Sequence, residues 1–426
     1  MLPDEGQILL IMNANTVLYI IAGILIIDFA LERILSYLNA NHQQKKLPDE
    51  LTDIYDQEKY SKSLNYFQAN HSFETISASF SFILMLAMIL TGAFGKLDYV
   101  LRSRINDPIL VALCFFGILF LISDLINIPF SLYRNFVIED KFGFNKMTLK
   151  VFLFDKIKSY ILTAIVGGVI LYILLYLITN IGANFWLWFW LVISAFLLLV
   201  NMFYTSLIVP IFNKLVPLPA GDLRDKIEEY SRKINFPLDN IFVIDGSKRS
   251  SKANAYFSGI GSKKKIVLFD TLISNHTQEE LVAVLAHEVG HFKKKHILTG
   301  FILSITQIGF MLFLLSLFVY NPFLSKALGA GENAIHINLI AFGILYTPIS
   351  HLTGIFMNII SRKNEYEADK YAATTYNGAT LQSALKKLSG NSLSNLTPHP
   401  AYVFMHYSHP PLLQRLKALR KLISEV

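Results

Sequence analysis

Apolar residues fall in long runs along this chain, divided by stretches dense in charge. Several runs reach the roughly 20 residues needed to cross a hydrocarbon core of about 30 Å. They predict membrane spans at about 9–37, 73–94, 108–132, 159–179, 185–213, 297–320 and 336–360. The nearly chargeless link TNIGAN joins the fourth and fifth spans as a hairpin, and the segment QQKKLPDELTDIYDQEKYSKSLNYFQANHSF is too charged to lie in the bilayer. The first run follows Asp4 and Glu5 instead of a basic region and lacks a small-x-small cleavage site. It therefore reads as a retained span entered with the N-terminus outside.

After Asn213 the pattern changes. Residues 214–296 are charged, with short apolar runs at 241–244, 253–260 and 265–269 that read as strands. Gly259, Gly261 and Ser262 supply a turn between the last two. Residues 277–296 read as a helix, with Thr277 as N-cap and Glu280 completing a capping box. Leu281, Val284, Leu285 and Val289 then recur at helical spacing. Residues 361–426 are soluble and mostly helical in pattern. The chain thus divides into spans one to five (1–213), a soluble segment of strands plus helix (214–296), spans six and seven (297–360) and C-terminal soluble helices (361–426). The fold class is an all-α polytopic membrane protein of seven helices with a small α+β portion on one face.

Composition agrees with that frame. Of 426 residues, 53% are hydrophobic and 16% charged, where soluble chains average about a quarter charged; mean hydropathy is +0.44. The net charge of +7 does not point to nucleic acid, because lysines beside spans are the ordinary orientation signal. With the N-terminus outside, the inner loops carry Lys45, Lys46, Lys59, Lys62, Arg134, Lys141, Lys146, Lys150, Lys156 and Lys158. The outer loops carry only Lys96, Arg102, Arg104 and Lys326. Both soluble portions then face the cytosol. A single cysteine, Cys114, excludes an internal disulfide and argues against a cysteine-based metal site.

The chemistry lies in His287-Glu288-x-x-His291. Four residues make about one turn, so the two imidazoles stand on one helix face and can grip a tetrahedral metal ion, usually zinc. Glu288, beside the first ligand, can take a proton from metal-activated water. A third ligand is needed. Lys294 and Ile297 stand where a metzincin would have its glycine and third histidine. His296, five residues past His291, points off the ligand face of a continuous helix. Glu365 and Asp369, four apart, share a helix face beyond the seventh span. Glu365 can complete the site and Asp369 can hold an imidazole N–H. From spacing alone the same pair reads more readily as a solvated acidic face.

HEVGH followed two spans later by SRKNEYEAD resembles the integral-membrane zinc CAAX prenyl proteases. The resemblance runs nearly end to end, through the seven-span layout, FVIEDKFGFNKMT, SKRSSKANAYFSGIGSKKKIVLFDTLI and HYSHPPLLQRLKAL. It implies a barrel of seven tilted helices around a water-filled chamber, with one zinc ion near the cytosolic end. It also implies His287, His291 and Glu365 as ligands, Glu288 as the catalytic glutamate and Asp369 as a supporting or proton-donating residue. His409 falls where the family has a histidine near the scissile carbonyl, and Arg415 matches its companion in substrate binding. Asn254, Ala255, Tyr256 and Phe257 match an edge strand along which an extended peptide lies.

Other residues carry plainer readings. The lysine runs 263–265 and 293–295 are solvated or near lipid headgroups. Trp186, Trp188 and Trp190 form an interfacial belt, and Cys114 is a small core residue. His336 and His351 are structural. Asp28, Glu32 and Asp124 suit either a hydrated interior or polar contacts between helices.

The leading functional reading is a membrane zinc metalloendopeptidase acting near the C-terminus of prenylated CAAX-type substrates. The alternatives are a quality-control protease without prenyl dependence and a catalytically silent scaffold. The partners are a peptide or protein substrate and the lipid bilayer. With no ER-retrieval tail, a bacterial inner membrane is favoured over the endoplasmic reticulum.

Overall fold

Four of the membrane helices start where a polar side chain takes over a backbone N–H that the first turn leaves unpaired. Asn13 accepts from the Thr16 amide at 2.9 Å and opens α1 (Ala14–Asn41). Asp56 accepts from Lys59 and opens α2 (Gln57–Leu90). The short α3 (Ala93–Arg102) follows. Asp107, with Pro108 at the first helical position, opens α4 (Pro108–Tyr133). Thr148 caps α5 (Leu149–Leu162), which continues through a π-helical turn into α6 (Gly168–Ile181). The computed structural model describes residues 13–53, 55–236, 241–258 and 265–424.

Six helical runs among the described residues are long and apolar enough to cross a membrane: Ala14–Asn41, Gln57–Leu90, Pro108–Glu139, Leu149–Phe212, His296–Phe318 and Ile335–Ser392. The fourth holds both the fourth and fifth expected spans. It folds back at Gly182, whose φ of +72° and ψ of −148° suit glycine alone, before α7 (Phe185–Phe203). Large apolar side chains such as Ile27, Ile83 and Leu352 face outward and stay exposed, as a lipid-facing surface requires.

The helices outrun the expected spans. The second begins at Gln57 instead of residue 73, and the fourth at Leu149 instead of 159. The seventh continues to Ala372. Hydropathy marks only the part in hydrocarbon, whereas glutamate, lysine, glutamine and alanine keep a helix going in water.

The soluble segment begins with β1 (Leu215–Pro217) and α8 (Asp222–Lys233), neither of which the apolar pattern announced. A three-residue strand is too short to show alternation. The expected strands appear as β2 (Ile241–Ile244), β3 (Ala255–Ser258) and β4 (Lys265–Phe269). The sheet runs β1-β2-β4-β3, with β2 parallel to β4 and the other pairs antiparallel. Ala255 pairs with Leu268 and Ser258 with Lys265, which leaves β3 at an edge. The turn assigned to Gly259, Gly261 and Ser262 lies outside the described residues, as do Lys263 and Lys264.

After α9 (Asp270–Asn275) comes α10 (Gln278–Lys293), whose Leu281, Val282, Leu285, Ala286 and Val289 are buried. They share one core with Ile241, Ile266 and Leu268 of the sheet. The chain continues as α11 (His296–Phe318), the short α12 (Pro322–Ala327) and α13 (Ile335–Ala372). It ends with α14 (Gly378–Ser392), α15 (Pro400–His406) and α16 (Leu412–Ser424). Ala372 at the end of α13, Leu381 of α14 and Leu419 of α16 close the same core over α10.

The tryptophan belt needs correction. Trp188 is exposed, but Trp190 donates from Nε1 to the Ile305 carbonyl at 2.7 Å, and Trp186 packs edge-on against Phe313. Those two lock α7 to α11. Polar contacts absorb the ionisable groups in the spans: His351 with Asp28, His406 with Glu32, Lys156 and Tyr160 with Asp124, and His336 with Asp98 at 2.9 Å.

Candidate metal centre

Helix α10 starts with the capping box expected of Thr277 and Glu280. Glu280 does more than cap. Its carboxylate accepts from Ser383 at 2.6 Å and Lys387 at 2.8 Å, tying α14 to the start of α10. Three turns on, Gly290 crosses α13 so closely that a Cβ there would meet the Ala368 backbone at 3.1 Å. That close crossing brings Glu365 of α13 over the imidazoles of α10.

His287 and His291 turn their Nε2 atoms toward each other, 3.2 Å apart. Glu365 Oε1 lies 3.2 Å from His291 Nε2, and Oε2 lies 3.5 Å from His287 Nε2. One ligand atom from each of the three residues falls within 4.8 Å of the others. The remaining ring nitrogens are engaged behind them. His287 Nδ1 is 2.9 Å from Asp369 Oδ1, and His291 Nδ1 is 3.1 Å from His296 Nδ1. With both Nδ1 atoms held from the rear, both Nε2 atoms and a carboxylate oxygen converge on one point. Two imidazoles and one carboxylate with room for a fourth ligand suit a hydrolytic divalent cation.

Burial sharpens the electrostatics. Glu365 is 3% and Asp369 1% exposed. Burial by itself would drive the His287 proton off, but the Asp369 and Glu365 carboxylates outweigh it and hold the pKa up at about 9. Burial pushes the Glu288 carboxyl up, against the pull of the two histidines. Arg415 donates from Nε to Asp369 Oδ2 at 2.8 Å and pairs through Nη1 with Glu365 Oε2 at 3.2 Å. His409 Nε2 lies 3.2 Å from Glu365 Oε1 while its side chain stays 63% exposed.

All the residues singled out in the sequence meet here. A cavity of about 340 Å³ is bordered by Asn254, Ala255, His287, Glu288, His291, Glu365, His409 and Arg415. Tyr256 and Phe257 border a second cavity that shares Glu288 and His291. Two positions differ from expectation. Arg415, expected beside the substrate, lines the first cavity and also has a role the sequence did not show, donating to Asp369 and reaching His287 Nδ1 at 3.5 Å. His296, dismissed by helical geometry, sits behind His291, with its Nε2 3.2 Å from Glu367 Oε2. The continuous helix assumed for that dismissal does not exist. Lys295 adopts φ of +61° and breaks the chain between α10 and α11, which swings His296 back.

Comparison with known proteins identifies the family. The family described as CAAX prenyl protease N-terminal, five membrane helices, matches residues 36–214, and Peptidase family M48 matches residues 217–423. CAAX prenyl protease 1 of Saccharomyces cerevisiae is 38% identical over 431 residues, covering 94% of this chain and 94% of its own. The CAAX prenyl protease 1 homolog of Arabidopsis thaliana is 37% identical, covering 88% of this chain and 90% of its own. The crystal structure of Ste24p from S. mikatae superposes with a TM-score of 0.89 at 36% identity, over 95% of this chain and 99% of that one.

Proposed function

This chain belongs to the CAAX prenyl protease family of M48 metallopeptidases, and from that premise we propose that it cuts near the C-terminus of prenylated proteins, on the far side of the lipidated cysteine. It is an integral, multi-pass membrane metalloprotease. The observation that carries the proposal is the convergence of His287, His291 and Glu365 within 4.8 Å, beside the carboxylate of Glu288.

The family implies a metal, and zinc suits this donor set. When held by His287, His291 and Glu365, zinc would polarise the scissile carbonyl and make water nucleophilic at neutral pH. Glu288 takes the proton from the attacking water. Its raised pKa suits a base that must then hand that proton to the leaving amine. His409, mostly exposed beside Glu365, donates to the oxyanion of the tetrahedral intermediate. Asp369 fixes the His287 tautomer that presents Nε2, and Arg415 neutralises Asp369 and Glu365. A substrate strand adds to the free edge of β3 at residues 254–257.

Two further assignments go with this reading. The run Leu149–Phe212 crosses the membrane twice, giving seven crossings in all. The distribution of lysine and arginine supports a site on the cytosolic face. The named relatives are a yeast and a plant protein, which favours the endoplasmic reticulum over the bacterial inner membrane. A complete ligand set argues against a silent scaffold. Purified protein in vesicles, given a farnesylated CAAX peptide, its unprenylated twin and an unprenylated membrane protein, tests the proposal. Selective cleavage of the farnesylated peptide supports it. Preference for the unprenylated membrane protein would replace it with the quality-control reading.

A further inference from the structure

Glu288 and His291 stand at the junction of two cavities. One holds Asn254 and Ala255 of the strand approach, with Leu381, Leu385 and Leu388 of α14 across from them. The other, about 360 Å³, holds Tyr256 and Phe257 of the same edge strand. Its remaining wall comes from His296, Ile297, Gly300 and Leu303 of α11 and from Met357, Ile360, Ser361 and Asn364 of α13. A peptide laid along β3 would pass the point where the two cavities meet at Glu288. The residues on either side of a bond cleaved there must then enter different cavities.

The second cavity is the one built from membrane helices. Ile297 and Gly300 begin the sixth span, and Met357 and Ile360 end the seventh. Among its walls Gly300 is the residue with no side chain, and a Cβ added there would meet nothing within 4 Å. Glycine in a helix interior costs roughly 0.5–1 kcal/mol relative to alanine, and no positive φ or close backbone approach requires it here. What glycine provides at this position is space on the cavity side.

We infer that Gly300 sets the size of the group accepted on the N-terminal side of the cleaved bond, and that the cavity it opens takes a bulky apolar substituent such as a thioether-linked isoprenoid. The residue before the bond stays on the membrane-anchored product. The apolar part of the cavity, at Ile297, Leu303, Met357 and Ile360, lets its hydrocarbon remain out of water while the carbonyl reaches Glu288 at the polar end. The released residues occupy the α14 side. This inference rests on the peptidase reading above and adds the subsite that selects the substrate.

The test uses the full chain in vesicles, loaded with zinc, and three peptides that differ only before the cleaved bond: alanine, phenylalanine or S-farnesyl-cysteine. Gly300→Leu should lower the kcat/KM ratio of the farnesyl peptide to the alanine peptide at least tenfold. Gly300→Ala should move it less, in the same direction, and carries the comparison if the leucine variant does not fold. Zinc content per chain reports an intact site. Wild-type ratios in a metal-loaded Gly300→Leu protein overturn the assignment, as does an equal fall in Gly117→Leu, an exposed glycine of α4 that also has open space around it. Should the wild-type protein ignore farnesyl yet prefer phenylalanine to alanine, the prenyl substrate fails. Gly300 is then judged on the phenylalanine-to-alanine ratio alone.

Discussion

Arg415 Nε lies 2.8 Å from Asp369 Oδ2, and both side chains are almost fully buried behind the metal ligands. Asp369 in turn holds His287 Nδ1. A charge pair taken out of water is held by its geometry, and removing one member strands the other. Arg415→Ala should therefore destabilise the fold by about 3–5 kcal/mol and weaken zinc binding by about 10–100-fold. Arg415→Lys keeps the charge but loses the fork that meets both carboxylate oxygens, so it should fall between. Thermal melting in detergent and chelator competition measure the two effects. Zinc affinity equal to wild type in Arg415→Ala would show that Asp369 holds His287 without help from Arg415.

Zinc uptake should depend on pH through His287. Its folded pKa is raised to about 9, so in the metal-free protein the ring is protonated at neutral pH. A ligand must be deprotonated to bind, and each zinc taken up displaces that proton. Affinity should thus rise about tenfold per pH unit up to about pH 9 and then level off. Titration at three pH values between 6.5 and 8.5 reads the slope. A flat response would mean that the carboxylates around His287 do not hold its proton.

His296 offers a sharper test of the support behind the ligands. It contacts His291 on one side and Glu367 on the other. His296→Ala should lower zinc affinity, and His296→Asn, which keeps a hydrogen-bonding group near the same place, should restore part of it. If asparagine rescues nothing, the contact only fills space. The sequence hid this residue for a definite reason. Heptad arithmetic places position i+5 on the wrong face, and nothing in the letters announces that Lys295 leaves the helical region. The imidazole pair, the cap at Thr277 and the strands at 241–244 and 265–269 were legible because each depends on neighbours within one turn or one strand. Spacing made Glu365 a candidate but read more readily as part of a solvated acidic face, and only the resemblance singled it out, since its meeting with His287 depends on how two helices cross at Gly290. The extra turns from Gln57 to residue 72 were missed because hydropathy reports the solvent and not the backbone.

One end of the membrane helices is held by a contact the sequence does not advertise. Gly95 of α3 lies against Gly329, and a Cβ at Gly95 would come within 1.9 Å of the Gly329 carbonyl oxygen. Gly329 itself sits at φ of +90°. Gly95→Ala cannot be accommodated by a side-chain rotation, because the obstacle is backbone. It should destabilise the protein by at least the roughly 1–3 kcal/mol typical of overpacking while leaving zinc stoichiometry unchanged. A melting temperature equal to wild type would show that α3 and the loop after α12 separate freely.

The most direct prediction concerns Glu288. Glutamine has the same shape and can still hydrogen-bond, but it cannot accept a proton. Its neighbours His287 and His291 keep their ligand atoms, and Glu365 arrives from another helix, so the donor set is untouched. Glu288→Gln should therefore bind zinc like the wild type and lose roughly a hundred- to ten-thousand-fold in kcat, the usual contribution of a positioned general base. The paired measurement matters, because Glu365→Ala should fail differently, losing metal first and activity as a consequence. Metal analysis and turnover on the same preparations separate the two. Full turnover in metal-loaded Glu288→Gln would move the base elsewhere, and full zinc content in Glu365→Ala would remove the third ligand on which this geometry depends.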